Sequence, residues 1–83
     1  LTDLGGGVSY RLVSCQHGER TGAIITFQDT APPCEGVISW CDRCERERWE
    51  LRSLDPLTVE PSVACTVHPH HHGWIRDGRW VQA

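Results

Sequence analysis

Apolar and polar positions alternate along several short stretches of this chain, and each stretch ends at glycine, proline or a polar pair. Val8, Tyr10 and Leu12 alternate with Ser9 and Arg11, a period of two that predicts a half-buried strand. Cys15-Gln16-His17-Gly18 closes it with a turn, and Ala23 to Phe27, rich in β-branched residues, predicts a second strand paired back on the first. Pro32-Pro33 ends that pair. Val37-Ile38-Ser39-Trp40 leads into Cys41, and Glu47 to Arg52 leads away from Cys44. In the latter stretch Trp49 and Leu51 share one face, while Arg48, Glu50 and Arg52 share the other. The alternation favours a strand, with a helix over residues 43–52 as the alternative because Glu and Arg favour helices. Two prolines, Pro56 and Pro61, exclude a helix interior from residues 53–62 and predict an extended connecting loop. Trp74 to Val81 reads as a hairpin turning on Asp77-Gly78. Its register sets Ile75 opposite Trp80, Trp74 opposite Val81 and Arg76 opposite Arg79.

Composition narrows the class. With 83 residues there is room for one small domain, and Leu, Ile, Val and Phe together supply only 18 of them. Domains of this size are marginal unless a metal, a disulfide or a partner adds stability. The net charge of -3, with arginine as the only basic residue besides histidine, argues against a chain built to neutralise nucleic-acid phosphate. No apolar run approaches the ~18 residues of a membrane helix, and no secretory segment opens the chain. The first residue is Leu1, so either an omitted leader or a non-standard start codon is expected.

The chemistry lies in the cysteines and histidines. Cys41-Asp42-Arg43-Cys44 precedes Cys65-Thr66-Val67-His68 by twenty residues, a C-x2-C-x20-C-x2-H pattern at the edge of zinc-ribbon spacing. Two residues between ligands let a tight turn aim both side chains at one point, and two such turns complete the tetrahedron that Zn2+ accepts. Cys41, Cys44 and Cys65 are the expected thiolate ligands of a structural Zn2+. The fourth is His72, beside the last hairpin, or His68, which has the favoured spacing; His70 and His71 complete the cluster. Cys15, His17 and Cys34 raise a second metal centre, against which stands the plainer reading of Cys15 and Cys34 as buried thiols at strand ends. The Cys-x-x-Cys spacing favours a reduced, cytosolic, metal-binding chain over a disulfide scaffold.

A closed site of three thiolates and an imidazole leaves no coordination position for water, so an enzyme is not expected. Glu45 beside Cys44 is the conceivable base, but the His-x-Glu and Pro-Cys-x-x-Cys pattern of a deaminase is absent. Trp49 with Arg48, and Arg76 with Arg79, are the candidate binding residues. A protein partner is favoured over nucleic acid, because Glu45, Glu47 and Glu50 interleave with Arg43, Arg46, Arg48 and Arg52.

Residues 54–63, Leu-Asp-Pro-Leu-Thr-Val-Glu-Pro-Ser-Val, then Cys65 and the run from His72 to Trp80, resemble a family of small uncharacterised proteins of actinobacterial phages and prophages. The resemblance covers roughly residues 36–83. It implies a zinc-ribbon-like fold with a Cys-x-x-Cys turn at Cys41 and Cys44 and a second turn at Cys65 and His72. Members often carry cysteine at the position of His68, with a shorter loop after it. The resulting expectation is a small β-rich zinc-ribbon-like domain of antiparallel hairpins around one structural metal site. Residues 1–7, with three successive glycines, form a flexible lead-in. Residues 8–35 form an N-terminal hairpin and residues 36–83 the zinc-ribbon-like part. The expected role is a phage-encoded interaction module in the host cytoplasm or the virion, with a nucleic-acid-binding zinc ribbon as the alternative and a metal-dependent enzyme third.

Overall fold

A computed structural model describes every residue except Thr66, Val67, Pro69 and His70. Among the described residues, eight strands form two antiparallel four-stranded sheets whose order follows the chain. The first sheet contains β1 (Thr2–Gly5), β2 (Val8–Cys15), β3 (Gly18–Phe27) and β4 (Cys34–Ser39). The second contains β5 (Glu50–Leu54), β6 (Leu57–Ala64), β7 (His72–Arg76) and β8 (Arg79–Gln82). Among the described residues no helix is long and apolar enough to cross a membrane.

The period-two stretches place one apolar face of each sheet on a shared core. Val8 and Tyr10 of β2, Ala23, Ile25 and Phe27 of β3, and Ile38 of β4 meet Leu57, Val59 and Val63 of β6 and Ile75 of β7. Burying one such side chain contributes roughly 1.5–3 kcal/mol. The Trp80 and Phe27 rings pack edge to face, with centroids 5.3 Å apart, at one side of this core. The last hairpin has the expected register, and Asp77 and Gly78 both take positive φ, 51° and 70°, as a type I′ turn requires.

Four expectations differ from the structure. Residues 2–5 pair with β2 and bury Leu4 to 3% exposure, so the N-terminus is no flexible lead-in. Its glycines make the hairpin turn, with Gly6 and Gly7 at φ 64° and 77°, a region closed to most side chains. The division at residue 35/36 falls inside β4, which pairs with β3 along its length; the two sheets separate after Ser39. Strand β5 begins at Glu50 and not Glu47, because residues 40–49 are taken up in crossing between sheets. That crossing is anchored by the backbone hydrogen bonds Trp40 N to Thr21 O (2.9 Å) and Trp49 N to Ser39 O (2.8 Å). Residues 53–62 are the β5–β6 hairpin and not a loop. Asp55-Pro56 forms its turn, and Pro61 sits where the β6–β7 register slips between Val59 and Val63, a place where a missing N–H is tolerated.

Three substitutions test this core. Ile75→Ala, at a fully buried position, is expected to cost about 2–5 kcal/mol in urea unfolding, whereas Val37→Ala at 52% exposure is nearly neutral. Gly73→Ala drives a methyl into the Val81 carbonyl and to 2.8 Å from the Trp80 ring, and should destabilise by about 1–3 kcal/mol.

Candidate metal centre

The first sheet brings two short turns together at one end. Strand β2 ends at Cys15, the β2–β3 turn carries His17, and β4 runs back beside β3 so that Ser39 lies opposite Gly22. Gly22 itself lies opposite Val13, which puts the start of the 40–49 crossing next to the β2–β3 turn. The approach is close: a Cβ on Gly22 would lie 2.5 Å from the Ile38 carbonyl oxygen. Cys41 and Cys44 follow directly, and just beyond them Arg46 N donates to Cys44 O at 3.0 Å.

The donor atoms of Cys15, His17, Cys41 and Cys44 lie within 4.8 Å of one another. His17 Nδ1 is 3.8 Å from Cys15 Sγ, 3.7 Å from Cys41 Sγ and 3.6 Å from Cys44 Sγ, and the Cys15 and Cys41 sulfurs are 3.6 Å apart. One imidazole nitrogen has a single lone pair or a single proton, so hydrogen bonding does not account for near-equal distances to three sulfurs. A common centre does. Zn–S bonds of ~2.3 Å and Zn–N bonds of ~2.0–2.1 Å in a tetrahedron give edges of about 3.5–3.8 Å, and the measured distances have that size. The residues present therefore fit a tetrahedral metal ion.

The surrounding groups support thiolate at this point. The His17 backbone N–H donates to Cys15 Sγ at 3.4 Å, and Thr21 holds Cys15 by its hydroxyl. These contacts, that of Thr21 first, lower the Cys15 thiol from 9.0 to about 6. Cys44 moves the other way, raised from 9.0 to about 11 by the adjacent Cys41 sulfur, by burial and by Cys15. Three thiols crowded together cannot all ionise without a cation among them.

Of the expected ligands, Cys41 and Cys44 stand in this group, while Cys65 and His72 do not. Cys65 forms a disulfide with Cys34, and His72 Nε2 lies 2.9 Å from Ser62 Oγ. The correction has a topological reason. Cys65 follows the far end of β6 in the second sheet, whereas the β2–β3 turn returns to the exit of β4. His68, the alternative ligand, has its ring 5.3 Å from that of His71, and His70 lies outside the described residues. Cys15 is thus a donor in the cluster and not an isolated strand-end thiol, and Cys34 belongs elsewhere. The signal for this was Cys15-x-His17 at a hairpin turn, which sets two donor atoms 3.8 Å apart. The disulfide also departs from the fully reduced chain that the spacing favoured.

A second cluster joins the two sheets: Cys34, Cys65 and His71 have donor atoms within 4.8 Å of one another. Both clusters are geometrically compatible with metal coordination. The candidate binding residues divide. Arg48 and Trp49 line an open cleft of about 720 Å³ with Trp40, Glu50 and Pro61. Arg76 lies at the last hairpin, its guanidinium carbon 5.1 Å from the Trp74 ring centre, and Arg79 is its cross-strand neighbour. The fold and site together define a small all-β domain of antiparallel hairpins with zinc-ribbon-like Cys/His clusters. Comparison with family models, curated proteins and solved structures finds no match.

Metal affinity should rise with pH, since each protonated thiol must release its proton to bind, giving about tenfold per pH unit per proton released. Cys44, raised to about 11, contributes throughout the neutral range. Competition titrations with Zn2+ at pH 6, 7 and 8 check this, and Cys44→Ser should lose most of the affinity at each pH.

Proposed function

We propose that the chain is a non-enzymatic interaction module stabilised by structural zinc, encoded by a phage, that binds a host protein or forms a small virion component. The observation that carries the reading is the Cys15, His17, Cys41 and Cys44 set. Three thiolates and one imidazole favour zinc and fill a tetrahedral sphere from the chain itself, which leaves the ion no position at which to activate water. What remains for function is surface. The cleft beside the crossing is lined by Trp40 and Trp49, both half-buried. Their indole N–H groups are already committed, to Arg20 O at 2.8 Å and Ser62 O at 3.2 Å, so the rings are held in place as anchors for a protein partner.

The charge around the cleft supports protein over nucleic acid. Arg52 pairs with Glu50 at 3.3 Å and with Glu60 at 3.1 Å, so that arginine is balanced locally. A phosphate-binding face needs unbalanced positive charge. The phage assignment rests on the sequence resemblance alone, and places the protein in the host cytoplasm or the particle.

Untagged protein is expected to contain zinc, and the chain should appear in purified phage particles at a fixed copy number if it is a virion component. Its absence there favours a host partner. Trp49→Ala should weaken partner binding at least tenfold with zinc content unchanged. Binding to nucleic acid with a steep salt dependence would overturn the reading.

A further inference from the structure

The second cluster lies where the two sheets meet. Cys34 opens β4, Cys65 follows β6 and His71 precedes β7. The Cys34 and Cys65 Cα atoms are 7.2 Å apart, beyond the usual ~4.4–6.8 Å span of disulfide-bonded pairs. Thiolates sharing a tetrahedral zinc ion sit with sulfurs about 3.8 Å apart, which suits a backbone gap of this width. His71 is held as metal-binding imidazoles are held. It is 4% exposed, it stacks on Phe27 with ring centroids 4.5 Å apart, and its Nε2 lies 2.6 Å from Asp29 Oδ1. A carboxylate on one ring nitrogen fixes the tautomer and presents the other, here Nδ1, as the ligand atom.

We propose that, when the Cys34–Cys65 bond is reduced, Cys34, Cys65 and His71 bind a second zinc ion. The cross-link between the sheets then exists in two exclusive forms, one covalent and one metallic. A dithiol reductant supplies two electrons and two protons to the disulfide, leaving two thiols and becoming a disulfide itself. Zinc then replaces the two thiol protons, which pass to solvent. Water or His68, whose ring adjoins that of His71, fills the fourth position. The pair thus couples the redox state of its surroundings to metal occupancy at the sheet interface, independently of the Cys15, His17, Cys41 and Cys44 centre.

The test uses the untagged full chain, either oxidised or reduced by a dithiol that is then removed without air. Each form is equilibrated with Zn2+, dialysed and assayed for metal by mass spectrometry. One ion is expected in the oxidised chain and two in the reduced chain, falling to one in reduced Cys34→Ser and His71→Gln. The His71→Gln variant keeps both cysteines, so it guards against misfolding of Cys34→Ser, and circular dichroism checks both. Reduced Cys44→Ser should keep the ion that depends on Cys34. If the reduced wild type holds no ion that is lost in Cys34→Ser and His71→Gln, the proposal fails. A single ion that is lost in those variants but kept in Cys44→Ser would sustain this site while refuting the first.

Discussion

Three sulfurs and one ring nitrogen converge within a few ångströms at one end of the first sheet, and much of the architecture serves that convergence. Like-charged thiolates at such separations repel strongly, while three neutral thiols would leave a polar cluster with poor hydrogen bonds. A divalent cation resolves both problems at once. The opposed shifts of Cys15, lowered to about 6 by Thr21 and the His17 backbone, and Cys44, raised to about 11 by the Cys41 sulfur, burial and Cys15, express the same conflict.

The apolar core and the cysteine clusters divide the work. Ile25, Leu57, Val59 and Ile75 are the largest fully buried side chains, and they hold the faces of the two sheets together. They do not reach the end of the first sheet, where β2, β3 and β4 stop and polar turns take over. There the Cys15, His17, Cys41 and Cys44 cluster takes the place of apolar packing. The Cys34–Cys65 bond and the Asp29–His71 pair do the corresponding work on the other flank, where Cys65 and His71 meet residues of the first sheet and its β3–β4 turn. For a chain with so few large aliphatic residues, stabilising the ends by ligation and cross-linking is physically economical.

Local patterning was legible where one chain segment determines its own outcome. The alternation in β2, the β-branched run in β3 and the Asp77-Gly78 turn follow from period, propensity and turn chemistry, and they stand where the residues put them. The candidate metal cluster was half legible. Cys41 and Cys44 lie in one turn and so announce themselves, whereas the choice of Cys15 and His17 over Cys65 and His72 depends on which turns the sheet order brings together. Spacing along the chain carries no such information. The glycines before β2 misled for a related reason: their conformational freedom reads as disorder until Leu4 is seen to bury and β1 to pair. Likewise, Pro56 and Pro61 mark a turn and an irregular pairing, two settings that admit proline within a hairpin.

The crossing from Ser39 to Glu50 is the backbone path from one sheet to the other, and Cys41 and Cys44 lie within it. An ion bound there would pin the first part of that path against the β2–β3 turn, leaving Glu45 to Trp49 as the free backbone of the crossing. A shorter free tether raises the effective concentration of one sheet for the other, with an entropic gain that grows only logarithmically with the length removed. Such an ion would act on the pairing of two layers it does not touch, by shortening the free backbone between them.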